Sequence, residues 1–109
     1  MAECADQLAT ARGAYSRLVF HVLNLTYTQP LDAIEGSRAA HLAWLQQEIQ
    51  AGRLILAGRR ADQTGGVLIT GDIGHHEAED IIASDPYQQA GLVAYARTAF
   101  NGAFRAPGL

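Results

Sequence analysis

The segment Arg17–Tyr27, RLVFHVLNLTY, decides most of what this chain can become. It is rich in β-branched and aromatic residues and reads as a strand. Leu18, Phe20 and Val22 point to one face, while Val19, Leu23 and Leu25 point to the other. A strand that is apolar on both faces has to be covered on both. Whatever sheet it joins therefore carries something packed on each side.

The rest of the chain supplies the partners. Gln29-Pro30 ends the strand, and helical periodicity runs over Leu31–Ala51, closed by Gly52 as a C-cap. Arg53–Gly58 (RLILAG) and Val67–Thr70 (VLIT) read as two short strands joined by the polar turn RRADQTGG. His75–Ser84 places Ala78, Ile81 and Ile82 at helical spacing, and Pro86 stops that helix at Asp85. Gly91–Phe100, GLVAYARTAF, is a fourth long strand. The tail NGAFRAPGL holds too much Gly and Pro to be regular.

The order strand, helix, strand, strand, helix, strand is that of the split βαβ plan. It predicts an α+β, ferredoxin-like βαββαβ fold: a four-stranded antiparallel sheet with two helices on one face. Two helices cover only one side of such a sheet, which leaves the second apolar face of the first strand open. A second copy of the chain is the expected cover, giving a homodimer packed sheet to sheet. The length, 109 residues, is that of one domain. The net charge of −3 argues against nucleic acid or an anionic membrane as partner. No apolar run reaches the roughly 18 residues of a membrane span. A lone cysteine, Cys4, has no internal disulfide partner and fits a cytoplasmic protein.

The first helix carries the chemistry. At about 100° per residue, Ile34, Leu42, Leu45 and Ile49 fall within a sector of about 80°, the stripe expected to meet the sheet. Arg38 lies in the middle of that sector and His41 at its margin. A charge turned toward a core needs a partner or a wet pocket, since burying it alone costs several kcal/mol. In the split βαβ plan the loop after the second helix lies beside this end of the first, so Asp85 comes within reach of His41. A carboxylate on one imidazole nitrogen fixes the tautomer and raises the basicity of the other, the arrangement of a general base. Arg38, one turn earlier, suits an anionic substrate group or a developing oxyanion, and Tyr87 offers a hydroxyl. The competing reading makes Asp85 a helix terminator, His41 a packing histidine and Arg38 half of an ion pair.

Four motifs in order now resemble a known family. They are Arg38-x-x-His41-Leu42-x-x-Leu45, Gly52–Gly58, Gly65–Ile69, and Asp85-Pro86-Tyr87-x-x-Ala90-Gly91-Leu92. Together they look like the YciI-like, or YCII-related, family over residues 17–100. The resemblance implies a dimeric α/β barrel and an active site at a His–Asp pair, here His41 and Asp85. Some relatives look like dehydrochlorinases of chlorinated aromatic-derived compounds, and the fold is similar to that of muconolactone isomerase. The domain division is then a 1–15 extension, a 16–105 YciI-like α+β domain and a 106–109 tail. This sequence departs from the family in having Arg59 and Arg60 after Gly58, where proline is usual, and Ala99-Phe100 where Pro-Phe is common.

Other candidates carry less. His75 and His76 point about 100° apart on a helix and have no Cys partner, so no metal is expected. His21 reads as a core or interface histidine bonded locally, with lining the cavity as the alternative, and Trp44 as a residue packing at the helix flank or in the dimer. Gly65-Gly66 is a turn rather than a phosphate loop, because no helix start with Lys-Ser/Thr follows. The sequence therefore points to a cofactor-free enzyme in which His41, oriented by Asp85, moves a proton on a small anionic cyclic substrate held by Arg38 and Tyr87. Elimination and isomerisation fit, since neither needs a metal or covalent nucleophile. A non-catalytic ligand binder or a structural dimer is the alternative.

Overall fold

The computed structural model describes residues 19–109. The expected extension with Cys4, and the first two residues of the predicted strand, lie outside that range. The elements are β1 (Val19–Tyr27), α1 (Leu31–Gly36), α2 (Arg38–Gln50), β2 (Leu54–Arg59), β3 (Gly65–Thr70), α3 (His75–Ser84), α4 (Pro86–Gln89) and β4 (Val93–Asn101). The sheet is antiparallel with strand order β2-β3-β1-β4, so the two-faced strand β1 lies inside it. This is the ferredoxin-like α+β arrangement.

Strand β1 buries His21, Leu23 and Leu25 toward the helices. Leu23 and Leu25 join Ile34, Trp44, Leu54, Leu68, Ile81, Ile82, Tyr87, Leu92 and Val93 in one core. The opposite sheet face, with Val22, Asn24, Val67, Ile69, Ala96 and Thr98 in register across three strands, has no helix over it. Leu56, on that face of β2, is 65% exposed.

Gly65 and Gly66, read from the sequence as a turn, are the first two residues of β3, and two details of the first helical segment also depart from the sequence reading. The predicted helix 31–51 breaks at Ser37 (φ −112°, ψ 6°), directly after Gly36, a poor helix former. The His41 amide then bonds the Ser37 carbonyl at 3.0 Å, opening α2 afresh. The buried face of α2 is also turned from the apolar stripe: Leu42 and Ile49 are each 42% exposed, while His41, Trp44 and Glu48 are buried. The reason is that each of these three polar side chains has a partner on another element or just beyond the helix end. Trp44 Nε1 donates to Ser84 Oγ at 2.8 Å, and Glu48 receives Arg53 through two oxygens. Trp44 is thus a core residue that locks α2 to α3, not a flank residue. Leu42 and Ile49 line a groove beside Ala57 of the edge strand instead.

Glycines permit the closest strand contacts. A Cβ on Gly65 would stand 2.0 Å from the Leu25 carbonyl oxygen, so no side chain fits there. Gly52, at φ 79°, takes the left-handed conformation expected of its position after α2.

Candidate active site

The site is assembled around a helix cap. Pro86 fills the first position of α4, where a missing N–H costs nothing, and holds Asp85 extended (φ −68°, ψ 123°). From there the Asp85 Oδ1 accepts the Tyr87 amide at 2.9 Å, an N-cap bond. The same oxygen accepts Nδ1–H of His41 at 2.8 Å, and Oδ2 accepts the Tyr95 hydroxyl from β4. Asp85 is 0% exposed, and all three of its contacts are donors. A carboxylate so filled is held rigidly as an acceptor.

His41 reaches it from the first turn of α2 and is 7% exposed. Its ring stacks nearly parallel on Tyr87, with centroids 3.9 Å apart and planes 9° apart, and Trp44 tilts against it at 5.6 Å. Tyr27 meets Tyr87 edge-on at 6.2 Å. With Nδ1–H committed to Asp85, the Nε2 lone pair is the free one, and it has no partner among the described residues. Burial pushes the hydroxyls of Tyr87 and Tyr95 above the usual tyrosine range, and the Asp85 charge adds to this at Tyr95.

His41 lines a cavity of about 210 Å³ between α2, α4 and the sheet. Leu25, Leu42, Leu45 and Leu68 form apolar walls, Tyr27 and Tyr87 aromatic ones, and Gly58, Gly65 and Gly66 leave room along the strands. Arg38 and Arg59 line it as well. An apolar cavity of about 150 Å³ accepts benzene, so this one has room for a single substituted six-membered ring.

The four residues singled out from the sequence, Arg38, His41, Asp85 and Tyr87, therefore meet at one place. Arg59 joins them and Arg60 does not: Arg60 folds over the β2–β3 turn and bonds Asn24, Thr26 and Thr64. His75 contacts Arg97 on the α3 side, and His21 is buried between the Ile73 carbonyl and Arg97. Tyr95 and Tyr27 were missed by sequence reasoning. The signal for Tyr95 lay in strand alternation, which puts it opposite Leu25 on the helix-facing side of the sheet. Among the described residues, no group of three His, Cys, Asp or Glu stands together as a metal site, and no helix is long and apolar enough to cross a membrane.

Comparison with known proteins agrees with the fold. Residues 19–98 match the family model of the YCII-related domain. Among solved structures, the chain is similar to 5-chloro-2-hydroxyhydroquinone dehydrochlorinase from Burkholderia phenoliruptrix AC1100, in its complex with 2,5-dihydroxybenzoquinone. The two share 25% identity and a TM-score of 0.59, over 77% of this chain and 92% of the other. No curated protein matches.

Proposed function

This chain belongs to the YCII-related domain family, and from that premise we propose that it is a cofactor-free lyase or isomerase acting on a small anionic ring. The observation that carries the reading is the His41 Nδ1–Asp85 Oδ1 bond of 2.8 Å, buried on the Asp85 side, with the His41 ring on the wall of a ring-sized cavity. His41 Nε2 takes a proton from the substrate. The freed electron pair moves into the ring system, and in elimination the leaving group departs from the neighbouring carbon with its own bonding pair. In isomerisation the same proton returns to a different carbon. Asp85 stabilises the imidazolium formed in either case, and water carries the proton away after elimination. Arg38 holds the negative charge of the substrate, and the Tyr87 ring keeps the imidazole in plane.

The dehydrochlorinase similarity favours elimination and supplies a trial substrate. We expect the full chain to release chloride from 5-chloro-2-hydroxyhydroquinone faster than buffer does. His41→Ala lowers that rate by about 10² to 10⁴. A rate in His41→Ala equal to that of the native chain would discard the mechanism.

The second apolar face of the sheet supports a homodimer in the same reading. In this proposal a partner's sheet packs on Val22, Leu56, Val67 and Ile69, leaving the cavity on the helix side.

A further inference from the structure

The cavity carries a cation that the His41–Asp85 chemistry does not use. Arg59 ends β2, and its pairing with Gly66, two residues along from Ala57 opposite Leu68, puts its side chain on the helix-facing side of the sheet. It lines the cavity from the strand side, whereas Arg38 enters from the first turn of α2. Arg53, Arg60 and Arg97 each hold a carboxylate, at Glu48, Asp62 and Glu79. Arg38 and Arg59 have no such partner among the described residues, and no Asp or Glu lines the cavity. Glu35 is close enough to act on the Tyr87 hydroxyl, as both arginines are, but it is not part of the lining. Gly66 faces Arg59 across the β2–β3 pair without a side chain to block it. Two guanidiniums that hold no carboxylate among the described residues, on different walls of an aromatic, ring-sized cavity, suit a planar anion that can accept a fork of N–H donors.

We infer that Arg59, together with Arg38, selects rings bearing a carboxylate in addition to the groups on which His41 acts. The inference rests on the reading of the cavity as a ring-binding site and narrows its substrate class. Arg59 is a specificity residue here, not a proton-transfer group.

The test compares 2,5-dihydroxybenzoate with hydroquinone, two rings that differ by one carboxylate, by titration calorimetry on the full chain. The native protein binds the benzoate tighter by at least about tenfold, the usual scale of a charge-assisted contact. Arg59→Gln removes that preference and leaves hydroquinone affinity unchanged, and Arg59→Lys restores part of it. Arg59 is exposed and bonds no side chain among the described residues, so circular dichroism of both variants should match the native protein. Equal affinity of the native chain for the two rings, or an equal loss for both in Arg59→Gln, overturns the carboxylate inference alone. If neither ring binds, the inference falls together with the ring-binding reading beneath it.

Discussion

Replacing Asp85 separates two opposing effects at the centre of the site. The carboxylate is fully buried, which costs solvation, yet it accepts from His41 Nδ1, the Tyr87 amide and the Tyr95 hydroxyl. In Asp85→Asn, Oδ1 still accepts from His41 and Tyr87, and the Tyr95 hydroxyl turns to accept from the new amide. Shape and hydrogen-bond number are kept, and only the charge assistance is lost. That difference is about 1 kcal/mol per bond, so Asp85→Asn should lose about 2–3 kcal/mol in all. Asp85→Ala leaves three donors without an acceptor and should lose about 3–5 kcal/mol, the range for breaking a buried pair. Tyr95→Phe removes one charge-assisted bond while Asp85 keeps the other two, for about 1–2 kcal/mol. Urea unfolding followed by circular dichroism, with equal slopes, gives the three values. The combined Asp85→Asn/Tyr95→Phe variant should lose less than the sum, because the two changes share one bond. An Asp85→Asn protein as stable as the native chain would refute this, since burial of the charge would then outweigh its hydrogen bonds.

Three further outcomes follow from other parts of the fold. Leu56→Arg or Ile69→Arg on the open sheet face should convert a dimer at micromolar concentration into a monomer in sedimentation velocity, and a native chain already monomeric there would remove the dimer proposal. Gly65→Ala should abolish the cooperative melt, because its methyl group would overlap the Leu25 carbonyl; a normal melt would show that β1 and β3 are not so closely paired. Stability should fall with alkaline pH. The folded hydroxyl of Tyr95 ionises above the unfolded value of 10.0, so its contribution is complete below about pH 10 and is lost as pH rises beyond it. The sequence has no lysine, and Tyr95→Phe should flatten this slope by up to about 1.4 kcal/mol per pH unit. An unchanged slope in that variant would count against the buried hydroxyl.

The fold was legible because it rests on alternation and punctuation. The two apolar faces of β1, the Gly52 cap and the Pro86 stop are local signals, and their order leaves few topologies. The meeting of His41 with Asp85 followed from that topology. The buried face of α2 was not legible, because periodicity assigns polar residues to the outside. Here His41, Trp44 and Glu48 go inward by virtue of partners on other elements, namely Asp85, Ser84 and Arg53. The split at Ser37 was hidden for a related reason, since Gly36-Ser37 lowers helix propensity without forbidding a helix. Tyr95 stayed unseen because its role depends on β4 lying beside β1. The different fates of Arg59 and Arg60 depend on strand parity and on the β2–β3 turn, and a pair of adjacent arginines reveals neither.

General-base chemistry at His41 requires Nε2 to be the free nitrogen, and ¹⁵N-detected NMR of the imidazole reads that directly. In the neutral ring, and without ligand, the Nδ1 resonance should be of the protonated, pyrrole type and Nε2 of the unprotonated, pyridine type, with Asp85→Asn shifting the Nδ1 signal. A proton found on Nε2, with Nδ1 bare, would contradict the His41–Asp85 bond and with it the general base.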